Sequence, residues 1–478
     1  MKSIQHLSIK HIAWSFTLAV FIILICPGLI QDGMFMDGQQ YAIVAKNLAN
    51  GSGSFWFPHL SDTWMKAGSS SFMEHPPLVY GIESLFFRLF GYSMYTERLY
   101  SLSTAILSAY LIVLCWRLIS TDEEMKKLAW FPVLLWILIP VNYWSYQNNM
   151  QENTMGLFTL LAVYFLIRAL IQKSQVFIFL TLGGAAIFLA SFSKGPPGLF
   201  PLATIGIYWI SIQKISFIKV LSYTFYILFI PSLIYALLLL NVEAKESLSF
   251  YFFDRLLYRI NNEGVVENRF YSISKTLLEL APGIILSLVI MLVAKRKYKE
   301  FKPSKTQKNW ALFFLLLGIS GSFPLILTAV QRGFYLVPAM PFFAIAITLY
   351  TAPFLSKLLK KIKPKTTKWL TVVSAILLLI SLSFSMYQVG KTGRDKEMLH
   401  DVYIIGEQIP EGTSVKIEAY LYDNWSLQFY LLRYFDISLG PSVDNSDYFL
   451  VEKGHAPSLD FEKVSLDTKL FDLYKRMN

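Results

Sequence analysis

The sequence predicts an all-α polytopic membrane protein of about 11 or more transmembrane helices, with interfacial helices in its first outer loop and a small α/β domain after the last span. Three observations predict this. The 478 residues are 54% hydrophobic and only 16% charged, with a mean hydropathy of +0.46. Apolar runs recur at spanning length along most of the chain. Basic charge gathers in alternate connecting segments. Such a composition excludes an ordinary soluble enzyme.

A spanning helix needs roughly 20 mostly apolar residues. Runs of about that length lie near 12–30, 97–117, 128–145, 153–171, 176–192, 198–213, 219–241, 281–294, 310–330, 337–356 and 369–387. They are continuous rather than alternating, so a membrane β-barrel does not fit. The start of the chain is basic and then apolar, with no small-residue cleavage site after it, which reads as an uncleaved first span. Cys26 and Cys115 both fall inside apolar runs and form neither a disulfide framework nor a metal motif.

The net charge of +11 suggests nucleic acid until it is sorted by segment. With the first residues placed in the cytoplasm, the cytoplasmic segments and span ends carry 22 Lys+Arg against 4 Asp+Glu. The outer loops carry 11 against 13, and the tail from 388 carries 10 against 15. The strongest basic blocks are 295–308 and 357–368. This is the positive-inside asymmetry of a membrane protein, and nucleic-acid binding is rejected for want of a basic surface with readers. The localisation expected is a bacterial plasma (inner) membrane, with the tail and loops 31–96, 146–152, 193–197, 242–280 and 331–336 outside the cytoplasm.

The first outer loop has structure of its own. An apolar-faced helix is expected from Asp37 through Tyr41, Val44, Ala45 and Leu48, ending at Asn50-Gly51. Pro76-Pro77 then opens a stretch to about 91, with Glu83, Ser84 and Arg88 set against Leu78, Ile82, Leu85, Phe86 and Phe90. That pattern suits a helix lying in the interface plane. Domains are accordingly expected at 1–387, transmembrane and including loop 31–96, and at 388–478, soluble. In the tail, helices are expected over 394–409 and 425–435, and strands over 414–422, 436–440, 447–453 and 461–466, enough for a compact α/β unit.

Several residues on the outer side could carry chemistry, and each also has a bland reading. Asp37, three residues before Gln40, reads as a helix N-cap or as a general base at the interface. Glu74-His75-Pro76-Pro77 precedes a helix start, where anions are attracted; His75 is a phosphate donor or a solvated loop residue. Glu152 opens the span at 153–171 and either complements the helix dipole or acts as an acid. Lys194, in Ser-Lys-Gly-Pro-Pro, is a snorkelling anchor or a phosphate ligand. Arg332 is an interfacial anchor or a phosphate clamp, and Tyr335 belongs to an aromatic belt or to a ligand. Arg255, Arg259 and Arg269 divide the same way. Their shared side of the membrane is what joins them.

The ordered set resembles the C-type glycosyltransferases of the family that includes protein O-mannosyltransferases and the bacterial lipid A aminoarabinose transferase. The likeness covers about 31–345. It runs through Asp37…Tyr41, E-H-P-P-L (74–78), Glu97-Arg98, Glu152, F-S-K-G-P (192–196) and R-x-F-Y-L-x-P-x-x-P (332–341). His75 is closer to the mannosyltransferase H-P-P-L than to the E-K-P-P of the aminoarabinose transferases, and Gly38 and Gln40 depart from the family's usual acid and arginine. The resemblance implies an integral membrane enzyme that passes a sugar from a polyprenyl-phosphate donor to a lipid, glycan or protein acceptor outside the cytoplasm. It implies Asp37 as base, with Glu74 and His75 near the reaction centre. The full assignment is Asp37, Glu74 and Glu152 as catalytic acids and bases; His75, Lys194, Arg332 and Tyr335 at the donor phosphate; and Tyr41, Arg98, Arg255 and Arg259 at substrate.

The reaction expected is one inverting displacement at the anomeric carbon. Fixed cations and helix starts stabilise the departing lipid phosphate; this requires no cofactor and is compatible with a divalent metal, although no residue cluster has metal-ligand spacing. The alternative class is a membrane transporter or lipid flippase, which would bury ionisable groups near the midplane on broken helices.

Overall fold

The computed structural model describes residues 2–64, 70–120, 122–172, 174–257, 269–298, 302–328, 330–457 and 460–477, with side chains from residue 9 onward. Two compact units emerge. One is Met1–Pro27, Ser101–Gln147 and Gln151–Tyr387; the other is Gly28–Tyr100, Asn148–Met150 and Gln388–Asn478.

The first unit is helical. Among the described residues nine helices are long and apolar enough to span a membrane: Ile9–Ile30, Thr96–Ile119, Gln151–Ile171, Val176–Lys194, Phe217–Leu238, Tyr271–Lys297, Lys305–Leu327, Gly333–Lys360 and Pro364–Met386. The two other expected runs take different forms. The one near 128–145 is a broken pair, Glu123–Ile137 and Pro140–Gln147, bent by 76°. The one near 198–213 is the shorter helix Pro196–Ile212, whose first part is a 3-10 turn opened by Pro196-Pro197.

The break has a physical cause. Pro140 has no N–H to give the preceding turn, and the start of the second piece is capped from elsewhere. Glu279, on Tyr271–Lys297, accepts the Val141 N–H at 2.6 Å and is itself paired with Lys275 at 2.8 Å. Asn142 turns back to donate to the Trp136 carbonyl at 2.7 Å. Several helices carry apolar side chains on an outer face, among them Phe225, Leu278 and Leu379, at 71%, 68% and 64% exposed. An apolar exterior on that scale is what hydrocarbon, not water, would cover.

The second unit joins the first loop to the tail. The Met36–Asn50 helix ends where Asn50-Gly51 predicts: Gly51 adopts φ 91° and donates to the Asn47 carbonyl. The helix after Pro76-Pro77 runs Leu78–Phe90, but its faces are not those expected. Glu83 and Ser84 are buried, whereas Leu85, Leu89 and Phe90 are 51%, 75% and 57% exposed. The apolar stripe thus faces outward, as an interfacial helix requires, and the acid turns in.

The tail folds as a five-stranded sheet in the order β2-β1-β3-β5-β4, with β1 Ser414–Ile417, β2 Ser438–Gly440, β3 Tyr448–Glu452, β4 Phe461–Lys463 and β5 Phe471–Arg476. β1 pairs in parallel with β2 and β3; β5 runs antiparallel to β3 and β4. Helices Lys396–Gly406 and Trp425–Phe435 supply Leu399, Val402, Ile405, Leu427 and Leu431 to a core with Val415, Ile417, Leu450 and Leu473. Two strands differ from expectation. β1 stops at Ile417 because Ala419–Asp423 turns into a 3-10 helix, and β5 was not expected at all. The β5 start is held by Asp401, fully buried, which accepts the N–H groups of Lys469, Leu470 and Phe471 at 2.6–3.0 Å.

Candidate active site

The Met36–Asn50 helix presents the first group. Its opening residue is preceded by Phe35, which contributes no capping side chain, and Asp37 lies inside the first turn rather than at the cap. The capping role open to Asp37 from the sequence therefore goes elsewhere: Asn148 Oδ1 accepts the Phe35 N–H at 2.8 Å. Asp37 is half-buried. The next residue must be glycine, since a Cβ on Gly38 would sit 1.9 Å from the Asn148 carbonyl oxygen. A second acid at that position would collide with backbone.

One turn on, at the i+4 spacing that shares a helix face with Asp37, Tyr41 is 2% exposed. Its ring meets His75 edge to face, with centroids 5.9 Å apart at 73°, and Tyr80 at 6.2 Å. His75 and Glu74 are half-buried on the turn that Pro76 and Pro77 lead into the next helix. The helix that carries Asp37 and the turn that carries Glu74 thus meet through Tyr41 and His75, and a carboxylate and an imidazole at a helix start are groups that can take up one proton and donate another.

Arg98, expected at substrate, has a different setting. It is 2% exposed and donates to the carbonyls of Met94 at 3.1 Å, Gly28 at 3.0 Å and Gln31. Its neighbour Glu97 pairs with Arg433 at 2.8 Å, both side chains 3% exposed. Arg433 also donates to the carbonyls of Tyr92 and Ser93. These two arginines fasten backbone.

The membrane unit holds the second group. Glu152, in the first turn of Gln151–Ile171, pairs with Lys194 at 2.7 Å, their side chains 1% and 9% exposed. Lys194 Nζ stands 5.7 Å from the ring centres of both Phe334 and Tyr335. Phe334 stacks on Trp144 at 5.7 Å and 15°. Gly195, at φ 87°, leaves the space that the Tyr251 hydroxyl occupies. Arg332 is exposed, and Arg255 is buried on the Phe250–Leu257 turn. Arg259 lies outside the described residues. Among the described residues no three His, Cys, Asp or Glu side chains cluster so as to hold a metal ion.

Residues 74–239 match the family model described as dolichyl-phosphate-mannose-protein mannosyltransferase. No curated protein sequence matches the chain. In overall fold it is similar to the crystal structure of ArnT from Cupriavidus metallidurans bound to undecaprenyl phosphate. The TM-score is 0.66 at 14% identity, over 96% of this chain and 97% of that one. The chain has the C-type glycosyltransferase fold. The archaeal oligosaccharyltransferase AglB from Archaeoglobus fulgidus, solved with an inhibitory peptide and a dolichol-phosphate, shares the fold with a TM-score of 0.55 at 13% identity, over 94% of this chain and 69% of that one.

Sequence reasoning overlooked four residues in this chain: Asn148, Asn149, Glu83 as an inward acid, and Arg433. The Gln-Asn-Asn-Met loop was the available signal, because adjacent asparagines tolerate left-handed backbone and Asn149 has φ 50°.

Proposed function

We propose that this glycosyltransferase moves a sugar from a polyprenyl-phosphate-linked donor to an acceptor hydroxyl, lipid, glycan or protein, on the extracytoplasmic face of a bacterial plasma membrane. Asp37 takes the acceptor proton as the hydroxyl oxygen attacks the anomeric carbon. The bond to the lipid phosphate breaks on the opposite side, and configuration inverts. His75 donates to the departing phosphate, where fixed donors stabilise developing charge best. Lys194 is proposed as a further phosphate partner: a compact ammonium held by Glu152 over two aromatic rings.

The observation that carries this reading is the Tyr41–His75 contact, which sets the helix bearing Asp37 against Glu74-His75-Pro76-Pro77. The relatives support the donor class, one of them holding undecaprenyl phosphate and the other dolichol-phosphate. The positive-inside charge asymmetry supports the face. Purified protein in lipid nanodiscs, supplied with polyprenyl-phospho-sugars and with nucleotide sugars, should release polyprenyl phosphate from the former and leave the latter intact. Turnover of a nucleotide sugar would overturn the donor assignment. Mass spectrometry of envelope lipids, glycans and secreted proteins from a deletion strain would then name the acceptor.

A further inference from the structure

Glu83 has no part in the reaction as written, yet it is among the most enclosed acids in the chain, 0% exposed on the inward face of Leu78–Phe90. Its Oε1 accepts from Asn149 Nδ2 at 2.7 Å. Its Oε2 has no hydrogen-bond partner among the described residues. The same Asn149 amide reaches the Gly38 carbonyl at 3.4 Å. Asn148, beside it, accepts the Phe35 N–H and presses its own carbonyl against Gly38. The residues on both sides of Asp37 are therefore tied to one short segment, and Glu83 is what that segment rests on.

We infer that Glu83, acting through Asn149, is a positioning residue for Asp37: it holds the asparagine that sets the first turn of the Met36–Asn50 helix. The inference rests on the reading of Asp37 as the base. Charge is not what the position uses. The carboxyl is pushed well above the usual range by burial, against the Asn149 hydrogen bond; the Glu97 carboxylate adds to the rise and Arg433 opposes it. What the position supplies is an acceptor for the Asn149 amide at 2.7 Å. Asparagine suits the bridge, because its side chain is polar and its backbone accepts φ 50°.

The test uses the full-length protein and turnover of a polyprenyl-phospho-sugar, expressed per folded molecule. Asn149→Gly keeps the left-handed backbone and deletes the bridge; Glu83→Leu deletes the acceptor. Each should lower kcat roughly ten- to a hundredfold, the range for a misplaced catalytic group, with donor KM unchanged. The double variant should lose no more than either single one, since both break the same link. Glu83→Gln, which still accepts from Asn149, should keep kcat. It should also lose less stability than the parent as pH rises. The unfolded parent releases the Glu83 proton near the ordinary carboxylate value while the folded parent retains it, so folding weakens with pH from there up to the folded value.

Wild-type kcat per folded molecule in Asn149→Gly would overturn the inference, and that variant decides the matter if Glu83→Leu does not fold. Asp37→Asn separates the two failures. If it is inactive while Asn149→Gly is fully active, only the positioning role falls; if Asp37→Asn turns over normally, the base assignment falls.

Discussion

Among the described residues each unit holds a buried ion pair of nearly the same length, and the two are built for different ends. Arg433–Glu97 closes at 2.8 Å and Lys194–Glu152 at 2.7 Å, all four side chains 9% exposed or less. Around Arg433 the guanidinium fork is spent on both Glu97 oxygens and on the Tyr92 and Ser93 carbonyls. Lys194 instead stands over the rings of Phe334 and Tyr335. A planar fork with its donors matched to backbone is a fastening. A point charge set over rings is the kind of cation a phosphate can draw on. Burial and distance alone do not distinguish them; the rest of the shell does.

The comparison is most easily broken at Arg433. Removing one member of a buried pair typically costs about 3–5 kcal/mol because the other charge is left unpaired. Arg433→Ala should therefore unfold at markedly lower denaturant concentration, while its folded fraction keeps the donor KM of the parent. A raised donor KM in that folded fraction would erase the proposed distinction.

Lys194→Met should destabilise less, since the apolar stem is replaced, but should also raise donor KM about tenfold, the equivalent of ~1.4 kcal/mol for one lost charged contact. Adding Glu152→Gln to Lys194→Met should restore stability without restoring donor affinity. Full recovery of both by the double variant would make Lys194–Glu152 a fastening like its counterpart.

A smaller effect is expected at Gly38. Gly38→Ala drives a Cβ into the Asn148 carbonyl, and overpacking of this kind costs about 1–3 kcal/mol. The thermal midpoint of purified protein should fall, and kcat with it, as Asp37 shifts. His75→Ala should lower the thermal midpoint only slightly, for the lost ring contact with Tyr41, and raise donor KM by roughly tenfold, the weight of one hydrogen bond to a charged oxygen.

What could be read in the sequence was local. Asn50-Gly51 stops its helix where a C-cap glycine should, and Trp425–Phe435 is a helix over the residues expected from its apolar spacing. The motif residues Tyr41 and His75 do meet, as do Glu152 and Lys194. What could not be read depends on distant partners. The break at Pro140 is stabilised by Glu279, 138 positions from the N–H it accepts, and the start of the Asp37 helix is capped across 113 positions by Asn148. Glu83 and Ser84 follow the polar spacing of a solvated face, and only the packing of Leu78–Phe90 against Met36–Asn50 turns them inward. β5 was overlooked because Phe471, Asp472 and Leu473 are all buried, so the strand lacks alternation, and its pairing with β3 is set by tertiary context. Arg98 illustrates the converse: a motif position whose guanidinium serves carbonyls.

The most direct test of the central claim is single-turnover transfer from a polyprenyl-phospho-sugar by Asp37→Asn, read beside its thermal midpoint. Because Asp37 does not cap its helix, the isosteric amide should fold as the parent does and bind donor with the same affinity. It cannot accept a proton, so the transfer rate should fall about 10²–10⁴-fold, the usual weight of a general base. A transfer rate within twofold of the parent, at an unchanged midpoint, would contradict the account.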